Sequence, residues 1–267
     1  MRSTVEIQDA IAEHESVTYE QPLNERLRTF LRLNFLFQQA AHHAEGASPW
    51  SGRATVASLL EILAILGRGD IRQEITKEIE RLSTNFRRFA AQPGVDTSRL
   101  DALLGDLDQL RTALDSANIG ASSTLRESIF LNAIKHRSVI PGGTCEFDLP
   151  DYKHWLGLPF DVRSRDVSTW MKALTPLKEG VDRVLWLLRE TNPPTEEIAH
   201  AGMYQHVLSR GVSCQMIRVT LPPHTELYPE ISGSAHRFTV RFYHFQNVDD
   251  RPAQTTEDVS FQLTCCG

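Results

Sequence analysis

Two periods of apolar residues divide the chain. Between Glu25 and Arg189 they recur at steps of three and four, the spacing of one helix face; beyond Pro193-Pro194 they recur at every second position, the spacing of a strand. The first helix is predicted over ERLRTFLRLNFLFQQAAHHA, where Leu27, Phe30, Leu31 and Phe35 share a face and Asn24, after Pro22 and Leu23, closes an extended lead-in and caps the start. A second covers about Ala54 to Leu66 and stops at Gly67, and Asp70 then caps a third whose Ile71, Ile75, Ile79 and Leu82 form a stripe. Arg68 is thereby set on a tight inter-helix turn. Leu100, Leu103, Leu104, Leu107, Leu110 and Leu114 predict a fourth, and Thr124 with Glu127 reads as a capping box opening a helix from Leu125 to about Arg137.

The segment SVIPGGTCEFDLP breaks this texture, and its Pro-Gly-Gly between two short apolar runs predicts a hairpin or strand pair. Helical text returns in DYKHWL, after Asp166, and from Leu177 to Arg189. In HRFTVRFYHF, Arg237, Thr239, Arg241 and Tyr243 fall on one face and Phe238, Val240 and Phe242 on the other; VSCQMIRVTL and DVSFQLTC alternate similarly. The expected fold class is α+β, a mainly helical N-terminal domain with a C-terminal antiparallel β-rich domain. Residues 1–18 are expected to form a flexible extension, 19–137 with 150–192 the helical domain, and 138–149 with 196–267 the β-rich domain.

Charge narrows the function. The 267 residues carry a net charge of −6, which argues against binding DNA or an anionic membrane over the whole surface. Yet 23 of the 28 basic residues are arginine and only 5 are lysine, a skew toward the planar fork that pairs with carboxylates. Cys145, Cys214, Cys265 and Cys266 do not make a disulfide framework in a chain this long, since the last two are adjacent, and they point to a reducing cytoplasm. Met1 to Val17 lacks the order of a secretory leader. The most apolar stretch, Ala57 to Leu66, is about half of the roughly 20 residues a membrane span needs.

No G-x-S-x-G, H-E-x-x-H, C-x-x-C, Walker or G-x-G-x-x-G pattern occurs, and Gly142-Gly143 lacks the Lys and Ser/Thr of a phosphate cradle. No cofactor or metal is expected: the ten histidines, including His42-His43, do not stand four apart on a helix face with a matching carboxylate. Cys265 and Cys266 read first as the end of a strand.

The basic residues carry the sharper signal. Arg28 and Arg32 lie one turn apart beside the apolar seam of the first helix. Arg237 and Arg241 lie on one strand face, roughly 13 Å apart by strand rise, with no acidic residue from Ser232 to Val248. Arg68, Arg126, Lys135 and Arg137, and Lys153 with His154, are lesser candidates. For each single cation a solvated pair or a favourable helix end competes, as Glu25 does for Arg28. The strand row is the clearest lead to an acidic or carboxylate-bearing partner.

YEQPLNERLRTFLRLNFLF, LGRGDIRQEITKEIERL, IPGG with FDLP, LYPEISG, HRFTVRF and the closing FQLTCC together resemble, in order and spacing, the ZapD family of bacterial cell-division factors. The likeness runs from about Tyr19 to Cys266. It implies a cytoplasmic, non-enzymatic homodimer recruited to mid-cell. Such a protein binds the C-terminal tail of the tubulin-like FtsZ, crosslinks and bundles its protofilaments, lowers their GTPase activity and supports Z-ring assembly. Carried over motif by motif, the resemblance implies a basic pocket drawing on Arg28, Arg32, Arg68, Arg237 and Arg241, with Lys153 and His154 after F-D-L-P and Arg126 in L-R-E. Where relatives can carry another basic residue after L-R-E, this chain has Ile129. Two other classes stay open at this point: a thiol-dependent or hydrolytic enzyme using Cys145, His154 and Asp148, and a nucleic-acid-binding module using the arginine row.

Overall fold

A computed structural model of the chain describes residues 16–90, 97–116, 125–190, 192–208, 214–223, 225–234, 236–245, 247–249 and 251–267. Strand β1 (Val17–Pro22) leads into helices α1 (Glu25–Ala44), α2 (Pro49–Leu66), α3 (Ile71–Ala90), α4 (Thr97–Ser116), α5 (Ile129–Ser138), α6 (Pro150–Gly157), α7 (Phe160–Ala173) and α8 (Thr175–Glu190). Strands β2 (Thr195–Ala199), β3 (Met203–Val207), β4 (Met216–Leu221), β5 (Leu227–Gly233), β6 (Arg237–His244), β7 (Ala253–Gln254) and β8 (Val259–Cys266) follow. The chain is α+β, with helices first and antiparallel sheets after them. It divides into two compact units, one built from 16–28 and 186–267, the other from 29–185.

The caps predicted at Asp70 and Asn24 form. Asp70 Oδ1 accepts from Gln73 N at 3.0 Å at the start of α3, whose Ile75, Ile79 and Leu82 are fully buried. Asn24 does the same for α1, accepting from Leu27 N at 2.9 Å. Ser48 caps α2, its side chain accepting from Ser51 N at 3.0 Å. Phe130, Tyr152, Trp155 and Trp170 stack in a cluster with ring centroids 5.7–6.1 Å apart, and Trp155 Nε1 donates to Asp166 Oδ2 at 2.9 Å. Arg163, only 5% exposed, donates to the carbonyls of Ala47 at 2.6 Å, Leu158 at 3.1 Å and Ser48 at 3.4 Å. Gly52 makes room for it: a Cβ there would stand 2.8 Å from Arg163 Nη1.

The sheet unit holds two four-stranded layers. One has the order β1-β4-β8-β2; the other runs β3-β6-β5 with β7 also paired to β6. Alternation explains their shared core: Ile217, Val219 and Leu221 of β4, Phe238, Val240 and Phe242 of β6, and Phe261 and Leu263 of β8 fall in a single buried cluster. The Phe242 and Phe261 rings meet at 5.1 Å. Glu20 on β1 is the ionic counterpart of that packing. Arg189 grips its carboxylate twice, Nε to Oε1 at 2.8 Å and Nη2 to Oε2 at 2.7 Å, and Arg218 Nε lies 3.1 Å from Oε1.

Three local expectations are corrected. The stretch 138–149 forms successive turns rather than a hairpin. Ile140 N bonds Arg137 O at 3.0 Å, Gly143 N bonds Ile140 O at 2.8 Å and Cys145 N bonds Gly142 O at 3.0 Å, so these amides are spent on local turns rather than on a ladder. The two glycines serve that path: Gly142 has φ +72°, and a Cβ on Gly143 would stand 2.3 Å from Arg137 O. The helix expected from Leu125 to Arg137 breaks at Ser128, which leaves the helical region and caps α5 by accepting from Leu131 N at 3.3 Å; Thr124 lies outside the described residues. Val17 and Thr18, expected in the extension, pair with Leu221 and Thr220 as the start of β1; residues 1–15 lie outside the described residues.

Candidate functional site

The arginine row of β6 is formed by strand register. Phe238, Val240 and Phe242 are buried, which forces Arg237 and Arg241 outward. Opposite them on β3 stand Val207 and Met203, both exposed, and on β5 Glu230 stands opposite Arg241, while Tyr228 stands opposite Tyr243 with rings 5.9 Å apart. The outer face thus combines two guanidinium groups with exposed aliphatic and half-buried aromatic surface. The row is not free of acidic neighbours, as the text of β6 alone implies: Glu230 comes from the adjacent strand and sits on the Arg241 end. Arg237 faces Val207 and no carboxylate across the ladder.

Arg28 sits in the first turn of α1, its Nε 3.4 Å from Glu25 Oε1. Arg32 is exposed one turn along the same helix, with exposed Phe35 following on its face. Arg68 is exposed on the Gly67–Gly69 turn at the C-terminal end of α2. Arg126 reaches the same helix end: its Nη2 donates to Leu66 O at 3.0 Å, two residues from Arg68. Two cations therefore meet the negative end of the α2 dipole, and that end retains positive charge for an anion. Arg126 is held in place by this bond. Ile129 is almost fully exposed.

Lys153 and His154 project from the outer side of α6, whose Tyr152, Trp155 and Leu156 face inward. Lys153 is ion-paired with Glu146. In the enzyme alternative Cys145 must reach His154; instead its thiol donates to Asp148 Oδ2 at 3.4 Å, and Asp148 in turn pairs with Arg137 at 3.7 Å. Among the described residues no three His, Cys, Asp or Glu side chains are grouped to hold a metal ion. No described helix is long and apolar enough to cross a membrane.

Of the basic residues named so far, Arg32, Arg68, Arg126, Lys153 and His154 lie in the helical unit, and Arg28, Arg237 and Arg241 in the sheet unit. A model of the family described as "ZapD: Cell division protein" matches residues 31–241. The chain belongs to the ZapD family. Similar over nearly their whole lengths are the proteins named Cell division protein ZapD from Methylococcus capsulatus, 39% identical over 94% of this chain and 98% of the relative, and from Janthinobacterium sp., 36% identical over 94% and 99%. The Coxiella burnetii protein of the same name is 34% identical over 94% of this chain and 98% of its own. The ZapD match spans both units, so the helices and the sheets belong to one family architecture.

One arginine escaped the sequence pattern. Arg53 on α2 donates from Nη1 to Thr144 O at 2.8 Å and lies over two rings, 5.0 Å from the Tyr152 centroid and 5.7 Å from that of Trp50. Burial pushes the Tyr152 hydroxyl up to about 12 against the opposing charge of Arg53. The spacing Trp50–Arg53, three apart on a helix start, was the local signal; Tyr152 comes from α6.

Proposed function

We propose that the chain is a non-enzymatic, cytoplasmic cell-division factor that binds the C-terminal tail of FtsZ as a homodimer. It crosslinks and bundles FtsZ protofilaments, lowers their GTPase activity and promotes Z-ring assembly at mid-cell. The observation that carries the proposal is the outward row Arg237–Thr239–Arg241 on β6, rigid in a ladder between two strands and bordered by exposed Val207 and Met203. A tail containing acidic and apolar residues suits such a face, because guanidinium groups take carboxylates in pairs while the aliphatic border buries side chains. Arg28, Arg32, Arg68, Arg126, Lys153 and His154 are the remaining tail contacts in this scheme.

Crosslinking requires two tail sites per particle. A two-fold dimer supplies them, and the first attachment raises the effective concentration for the second, so a weak single site is sufficient. At about 0.1 M salt the attraction between exposed charges decays over about 10 Å, and this range shortens as salt rises, which makes bundling salt-sensitive. The test is co-sedimentation with FtsZ filaments: Arg237→Glu with Arg241→Glu abolishes pelleting while the dimer stays folded, and FtsZ lacking its tail is not bundled by the unmodified chain. Unchanged pelleting of the double variant at moderate salt overturns the site, and bundling of tailless FtsZ overturns the mechanism.

A further inference from the structure

The helical unit contains a cavity of about 620 Å³ between the first turns of α2, the 142–146 turn and α6, a volume suited to a ligand or a short peptide segment. Pro49, Trp50 and Leu156 supply apolar walls, and Arg53 and Lys153 supply the cations. Lys153 is neutralised by Glu146, which leaves Arg53 as the uncompensated charge of the lining. Two features of the lining suit it to an occupant. Trp50 is 77% exposed, a large apolar surface open to solvent even with Arg53 lying 5.7 Å from its ring centroid. And Arg53, fixed by Thr144 O and two aromatic rings, makes no other hydrogen bond among the described residues. Its remaining N–H donors find no acceptor among the described residues.

A guanidinium immobilised in this way loses little freedom on meeting a carboxylate, so the bond forms at lower entropic cost than with a mobile surface arginine. We infer that this cavity is an anchor site for an acidic peptide: an apolar side chain enters beside Trp50 and Leu156, and a neighbouring carboxylate takes the free edge of Arg53. The occupant is the FtsZ tail, an assignment that rests on the preceding proposal and on Lys153, which belongs both to this cavity and to the basic set. Arg53 and Trp50 thereby become tail contacts that the family motifs do not include.

The experiment measures anisotropy of a fluorescent FtsZ tail peptide titrated with the full-length protein, in parallel with thermal melting. Arg53→Met keeps the bulk and removes the carboxylate receptor; Trp50→Ala removes exposed surface that no fold contact requires beyond the Arg53 stacking. Each weakens binding about tenfold, the effect of one charge-assisted bond or one buried indole edge, with melting unchanged for Trp50→Ala. A peptide whose acidic residues are replaced by their amides binds the wild-type protein and Arg53→Met equally. If wild-type protein binds the peptide and Trp50→Ala or Arg53→Met binds it as tightly, the anchor site is wrong and the FtsZ proposal stands. If wild-type protein does not bind the peptide at all, the FtsZ proposal itself falls, and the occupant with it.

Discussion

Replacing Arg163 by Met tests whether arginine is used structurally as well as for binding. The side chain is 5% exposed and spans three carbonyls, two of them at 2.6 and 3.1 Å and the third, Ser48 O, at a long 3.4 Å. Two good charge-assisted bonds contribute about 1.5–2 kcal/mol each, and the long one adds little. Against this, Met fills most of the volume, removes a buried charge, and leaves the carbonyls of Ala47 and Ser48, both exposed residues, able to take water. The net loss is then about 2–3 kcal/mol, or roughly 5–10 °C in melting temperature for a unit of this size. Urea unfolding followed by circular dichroism reads the free energy. Hydrogen exchange at Gly52 N, which donates to Ser48 O at 3.2 Å, reads the local loosening. Arg163→Lys should recover about half, since one ammonium cannot span the same carbonyls. A Met variant within about 0.5 kcal/mol of the parent, or a Lys variant equal to it, would refute the account.

Two further outcomes follow from the sheet unit. Glu20→Ala leaves Arg189 and Arg218 facing each other without their shared carboxylate. After allowance for partial exposure the loss is about 2 kcal/mol, seen as a lower urea midpoint and faster exchange along β1; an unchanged midpoint would contradict it. Among the sheet thiols, a hydrogen bond from Cys214 holds Cys265 below the ordinary thiol range. Cys214 is pushed up by that bond and by burial, and burial pushes Cys266 up to about 12. Near neutral pH the thiolate fraction is therefore largest at Cys265, so iodoacetamide should alkylate it first of the three, and Cys214→Ala, which removes the donor, should slow it. Peptide mapping by mass spectrometry that finds Cys214 labelled first would dispose of this ordering.

What the text of the chain reveals depends on how local the cause is. The Ile75, Ile79 and Leu82 stripe and the alternation through Arg237–Phe242 are visible because burial acts on each residue at the period of its own element. The caps at Asn24 and Asp70 are legible for the same reason. The 138–149 turns were not, since short apolar runs around Pro-Gly-Gly suit either a hairpin or consecutive turns. The choice is made by backbone bonds to Arg137 and Ile140 and by Arg53 reaching Thr144 from another helix. Glu230 beside Arg241 depends on register between strands, and the stacking of Tyr152 on Arg53 depends on two helices distant in sequence. The arginine skew likewise has more than one source: Arg163, Arg189 and Arg218 are spent on carbonyls and on Glu20, whereas Arg32, Arg237 and Arg241 point outward.

Strand β1 imposes an order of events during synthesis. Its six residues pair with Met216–Leu221, roughly 200 residues later, so at about 5–20 residues per second they leave the ribosome some 10–40 s before their partner. During that interval all the residues of 29–185 have been made, and helical contacts close on short loops far faster than this. The helical unit is thus ready to form while the first strand is still an unpaired edge, its Glu20 without either arginine. Closure of the β1-β4-β8-β2 sheet is then among the last events, after the polymerised chain reaches Cys266. A nascent chain arrested before residue 216 would carry a folded helical block and a bare strand, the species most exposed to misassociation and the one on which a chaperone would act.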